Sequence, residues 1–98
     1  MADDHIMQRR YDLGTAIFQR RRDLGLTQDE LAAITGFDRK SINRVENGAH
    51  AITLDRLWLI ADALHVTLGD LEVAAADIAK KRGSQPEPGP RVQTAQPR

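Results

Sequence analysis

Apolar positions along the first eighty residues recur at three, four and seven, and no stretch alternates with period two for long enough to make a strand. Leu13, Ile17 and Leu24, with Ala16 between them, mark one face of a first helix. It stops at Leu24-Gly25-Leu26, where Gly25 suits a left-handed C-terminal position. Thr27-Gln28-Asp29-Glu30 has the form of a capping box and opens a second helix. Leu31, Ala32 and Ile34 face inward there, and Gly36 ends it. Asp38 caps a third helix running to about Glu46, closed by Asn47-Gly48. Thr53 caps a fourth, Leu54 to Leu64, and Thr67 a fifth, Leu68 to about Ala79. The pattern predicts an all-α chain of five helices, four of them short.

The ends read differently. Residues 1–10 are expected to form a flexible N-terminal arm, although Ile6 and Arg10 could extend the first helix. Residues 81–98 hold all four prolines and one isolated valine, too little apolar surface to offset the entropy of ordering, so a disordered tail is expected. The folded unit is then 11–80. A chain of 98 residues, 41% hydrophobic and 29% charged, fits one small folded domain and leaves no room for a deep interdomain cleft. The absence of cysteine excludes a disulfide framework, a thiolate zinc site and a cysteine nucleophile. No apolar run approaches the roughly 20 residues of a membrane helix, and the start is acidic, so no membrane association and a cytoplasmic location are expected.

Formal net charge is zero, which taken alone argues against nucleic acid. The distribution argues otherwise. From Arg9 to Arg22 there are five arginines against Asp12, and from Ala49 to Ala79 five acids against Arg56. Such sorting can show phosphate a positive face while the average stays neutral. Ordinary solvated faces are the other reading until a motif decides.

The motif is Leu26-Thr-Gln-Asp-Glu-Leu-Ala-Ala-Ile-Thr-Gly-Phe-Asp-Arg-Lys-Ser-Ile-Asn-Arg-Val-Glu-Asn-Gly48. It resembles the helix-turn-helix of the lambda repressor, Cro and Xre family of DNA-binding regulators. The likeness runs from about Leu13 to Leu71 and includes Leu57, Ile60, Ala61 and Leu64 downstream. Its internal logic is physical. Ala32 sits where the two motif helices cross, Gly36 permits a positive φ, and Phe37, Ile42 and Val45 anchor the second motif helix. The resemblance implies a lambda-repressor-like five-helix bundle whose third helix reads the major groove.

At roughly 100° per residue, Arg39, Asn43, Asn47, Lys40 and Arg44 fall within an arc of roughly 140°, with Ile42 and Val45 opposite and Ser41 and Glu46 at the borders. Cations and amides without an acid are the donor set that guanine O6 and N7 and adenine require. Two or more guanines are therefore expected in the half-site. Carried over by position, the family places base-reading contacts at Arg39, Lys40, Asn43 and Arg44. Backbone phosphate falls to Gln28 at the start of the second helix, to Ser41, and to Asn47 and His50 at the far side. Arg20 and Arg22 are further phosphate candidates. In the family the residues matching Arg21 and Glu46 pair across helices, which implies a structural ion pair.

Trp58 and Leu59 lie outside the core stripe of the fourth helix, and the fifth is richer in apolar residues than one core face needs. A homodimer interface is expected at Trp58, Leu59, Leu71 and Ile78, unless Trp58 wraps over the core edge. A two-fold dimer would read an inverted repeat on double-stranded DNA. Restriction-modification controller proteins, small dimeric members of the family, look similar at Asp38-Arg39 and Ala51-Ile52-Thr53-Leu54, whereas Ile52 stands where many members have proline. No enzyme chemistry, cofactor, catalytic residue or metal site is expected. His5, His50 and His65 are dispersed, and His65 reads as a favourable charge at a helix C-terminus. The function expected is a transcriptional regulator acting as a repressor. Two alternatives remain: an autoregulating antitoxin with a toxin as protein partner, or an interaction adaptor that has lost DNA contact.

Overall fold

The structure, a computed structural model, describes residues 4–49 and 51–83. Its five helices are α1 (Asp4–Asp23), α2 (Gln28–Thr35), α3 (Arg39–Glu46), α4 (Leu54–Ala63) and α5 (Leu68–Gly83), and the described residues contain no strand. The chain is all-α. The expectations for His50 and for the tail from residue 84 onward lie outside the described residues, and no described helix is long and apolar enough to cross a membrane.

Local chemistry sets the helix ends. At α2 the Thr27 hydroxyl accepts from the Glu30 N–H at 3.0 Å while the Glu30 carboxylate accepts from the Thr27 N–H at 2.8 Å. Thr67 and Asp70 exchange the same pair of bonds at the start of α5, both at 2.9 Å. Asp38 caps α3 by accepting from the Ser41 N–H at 2.7 Å. The backbone bonds to Ser41 and to Thr67 hold the Asp38 and Asp70 carboxyls below the ordinary carboxylate range.

The other ends of α1 to α4 share one closure. A left-handed residue follows each helix, and two N–H groups turn back onto the last free carbonyls: Gly25 and Leu26 onto Arg22 and Arg21, Gly48 and Ala49 onto Val45 and Arg44, His65 and Val66 onto Asp62 and Ala61. Gly36 and Phe37 both turn onto Ala32. Three of the four left-handed residues are glycine; the fourth is His65, at φ 59°. A side chain there costs roughly 1–2 kcal/mol, partly offset by the entropy a glycine would lose on folding, about 0.5–1 kcal/mol. His65→Gly is therefore expected to stabilise the protein by about 0.5 kcal/mol and to raise its melting temperature by roughly 2–4 °C in a thermal scan.

All five helices feed one core. Ile17, Leu31, Ile42, Ile60 and Leu64 are fully enclosed, with Ala16, Ala32, Ala61, Leu71 and Ala75 among them. Each enclosed isoleucine or leucine contributes about 1.5–3 kcal/mol by leaving water. Three apolar assignments change. Ile34 is 57% exposed, because Thr35 takes the inward place beside Leu31 and Ala32, its hydroxyl bonded back to the Leu31 carbonyl at 2.9 Å. Leu24 lies beyond the end of α1 and is exposed. Leu71, expected at a dimer surface, is 2% exposed in the protein's own core, and Ile78 packs against that core.

The helical unit also exceeds 11–80 at both ends. Most of the segment expected as an arm is the start of α1, and α5 continues to Gly83. The reason is mutual support, since α1 lies along α5. Arg82 of α5 donates to both oxygens of buried Asp12 at 2.6 and 2.8 Å, a bond that raises the guanidinium's proton affinity, and Arg9 approaches Glu72 at 3.9 Å.

Candidate nucleic-acid interface

Helix α3 is clamped from beneath. Ile42 is buried in the core, Val45 is half-buried against it, and Glu46 is turned fully inward. Glu46 accepts from Arg21 Nε at 2.6 Å, from Arg21 Nη2 at 3.0 Å and from Gln28 Nε2 at 3.0 Å. Arg21 uses its remaining Nη1 on the Leu26 carbonyl at 2.7 Å, and its guanidinium lies 5.3 Å from the Phe18 ring. One buried network thus ties α1, the α1–α2 turn, α2 and α3 together, and it removes the one acid of α3 from the outer surface.

What remains outside is cationic and amide. Arg39, Lys40, Asn43, Arg44 and Asn47 are all exposed. Among the described residues, none of Arg39, Lys40 and Arg44 has a hydrogen-bond or ion-pair partner. Two of the amides do. The Asn47 side chain donates from Nδ2 to the Asn43 carbonyl at 2.8 Å and to Asn43 Oδ1.

Clefts flank the ridge on either side. The larger, about 640 Å³, runs between α3 and the start of α2 and is lined by Arg22, Gln28, Arg39, Asn43 and Asn47 among others. The smaller, about 340 Å³, lies beside Phe37, Ser41, Ile52, Thr53 and Arg56. The Arg56 guanidinium sits 4.9 Å from the Phe37 ring, which brings a cation to the Ser41 side of the ridge. Arg56 was absent from the sequence candidates. Its signal was its place as the lone base in the acidic stretch, three residues after the Thr53 cap.

The three arginines that end α1 diverge because successive helical residues turn by roughly 100°. Arg21 points into the core, and Arg22 lies 5.7 Å from the Phe18 ring at the larger cleft. Arg20 points elsewhere: its Nε donates to the Leu64 carbonyl at 2.9 Å, in a crevice shared with Asp70 and Leu71. The phosphate candidate Arg20 is thereby a C-terminal cap of α4, away from the ridge. Gln28 lines the cleft, but one amide hydrogen is committed to Glu46. Leu54, Trp58 and Leu59 of α4 are each about half exposed, with the exposed Asp55 and Asp62 between Trp58 and Leu59 around the helix. No group of three His, Asp or Glu side chains fit for a metal ion gathers among the described residues.

A helix-turn-helix family model matches residues 17–71, more than half of the chain. Among solved structures, the clp gene regulator ClgR from Corynebacterium glutamicum is 28% identical with a TM-score of 0.69, the match covering 70% of this chain and 88% of that one. The restriction-modification controller protein C.AhdI from Aeromonas hydrophila is 30% identical, TM-score 0.61, over 62% of this chain and 92% of its own. The wild-type controller protein C.Esp1396I is 25% identical, TM-score 0.66, over 80% and 99%. No curated protein matches the sequence.

Proposed function

This chain belongs to that helix-turn-helix family of DNA-binding transcription regulators, and from this premise we propose that it is a repressor which binds an inverted repeat in double-stranded DNA as a homodimer. The observation that carries the reading is the α3 ridge, where Arg39, Lys40, Asn43 and Arg44 stand exposed over a fixed apolar underside. A rigid helix with free donors fits the major groove, which is about 12 Å wide. Arg39, Lys40 and Arg44 read base edges, guanine above all. Arg22, Ser41 and Arg56 face phosphate along the flanking clefts.

One short helix contacts few base pairs, so specificity calls for a second copy about one helical turn away, roughly 34–36 Å. The exposed Trp58 and Leu59 supply the contact in this proposal, with Leu54 one turn earlier on the same face. Leu71 takes no part, being committed to the core. The similar structures are a clp gene regulator and restriction-modification controllers, which favours a small autonomous regulator over an adaptor.

Arg44→Ala tests the reading. It removes an exposed side chain, so the thermal transition is expected to stay within about 0.5 kcal/mol of wild type. Specific binding in a mobility-shift assay is expected to fall by at least about tenfold, the equivalent of one lost base contact. For wild type, with about six phosphates neutralised per dimer, log affinity is expected to fall against log salt with a slope near −5. A flat salt dependence, or full affinity in the variant, overturns the assignment.

A further inference from the structure

The two amides at the end of α3 are oriented by the backbone. The Asn43 main-chain carbonyl accepts from the Asn47 N–H at 3.1 Å and from Asn47 Nδ2 at 2.8 Å. A carbonyl can only accept, so the Asn47 amide cannot be turned over without setting oxygen against oxygen. Its second Nδ2 hydrogen goes to Asn43 Oδ1. Both hydrogens of Asn47 are spent, and the oxygen of Asn43 is directed at Asn47. The pair therefore leaves the Asn43 Nδ2–H donors for the groove. This is not the arrangement of a free asparagine, which meets adenine with both its oxygen and its nitrogen. It also leaves Asn47 no side-chain donor for phosphate, the role its position implied.

Building on the proposed DNA reading, we infer that Asn43 and Asn47 act as one oriented amide pair that selects a keto base, guanine or thymine, where Asn43 faces the major groove. Guanine presents O6 and thymine O4, both acceptors, at the place where adenine and cytosine present amino donors. Asn43 makes the contact and Asn47 is the positioning residue. Both are exposed, so substitutions report on recognition rather than on the core.

The test is selection from random duplexes with the wild type and with Asn43→Ala, Asn47→Ala and Asn47→Asp. Asn43→Ala identifies the position by flattening the preference there. In wild type that position is expected to be guanine or thymine, with adenine disfavoured about tenfold. Asn47→Ala frees the Asn43 amide to rotate and is expected to admit adenine to within about threefold of the keto bases. Asn47→Asp sets oxygen against the Asn43 carbonyl, so its carboxylate turns away, and it is expected to loosen the preference as Asn47→Ala does. Adenine or cytosine favoured in wild type, no position flattened by Asn43→Ala, or an unchanged preference in both Asn47 variants overturns the inference while leaving the DNA reading intact. A wild type that enriches no sequence and binds duplex without salt dependence overturns the DNA reading itself.

Discussion

Glu46→Ala is expected to destabilise the protein by about 3–5 kcal/mol, as measured by urea denaturation. The side chain is 2% exposed and accepts three hydrogen bonds, two of them from an arginine that is itself 7% exposed. Among the described residues, truncation leaves the enclosed Arg21 guanidinium the Leu26 carbonyl and the Phe18 ring. An uncompensated buried charge is far more costly than a missing contact between neutral groups. Domains of this size are stable by about 5–15 kcal/mol, so the loss takes a large fraction of the total.

The pair itself need not add net stability, because two desolvated charges regain by mutual attraction much of what they lose in hydration. A double variant, Arg21→Met with Glu46→Leu, is therefore expected to recover most of the loss. A single-variant cost below about 1 kcal/mol would mean that solvent screens the pair, as it does exposed ones. Recovery in the double variant assigns the network a role in specificity of packing. It fixes α3 against α1 and keeps a carboxylate off the surface proposed to meet phosphate.

Features decided within a few residues were legible in the sequence. The Thr27–Glu30 box, the Asp38 and Thr53 caps and the closures at Gly25, Gly36 and Gly48 depend on neighbours three to six positions away, and their residue types announce them. Features decided between distant segments were not. Arg82 meets Asp12 across seventy positions, and that contact explains why the bundle extends beyond the expected folded unit. Arg20 and Arg22 are indistinguishable by composition, yet one meets the α4 carboxyl end and the other the cleft. Periodicity also misassigned Ile34, since in a short helix a shift of one position moves an apolar residue from core to solvent, and the apolar surplus of α5 did not say that Leu71 was among the residues facing the core. The Asn43–Asn47 spacing was legible as a helical neighbour pair; its orientation was not, because a main-chain carbonyl decides it.

Gly14 carries the sharpest conflict between local preference and tertiary packing. It lies in the middle of α1, has an ordinary helical backbone and is buried. By helix propensity, alanine there should gain about 0.8–1 kcal/mol. The surroundings forbid it. A Cβ at Gly14 would stand 2.4 Å from the Val45 carbonyl oxygen, 2.6 Å from that of Glu46 and 2.8 Å from the Glu46 carbonyl carbon. All three atoms are backbone of the last turn of α3, so no rotamer change relieves them. The same approach recurs from the other side, where a Cβ at Gly48 would meet Tyr11 backbone at 2.7 Å. Relief requires α1 and α3 to separate, and that strains the Arg21–Glu46 network bridging them. Overpacking costs typically about 1–3 kcal/mol, and rigid atoms on one side place Gly14→Ala at or above the upper end. The expected result is a loss of about 3 kcal/mol in urea denaturation, opposite in sign to propensity. Gly69→Ala in α5 provides the contrast: its Cβ would meet only the Thr67 hydroxyl, at 3.6 Å, so there the same substitution is expected to stabilise by about 0.5–1 kcal/mol. Equal effects at the two sites would mean that α1 and α3 do not touch backbone to backbone, and the rigid seating of the α3 ridge would then lose its physical basis.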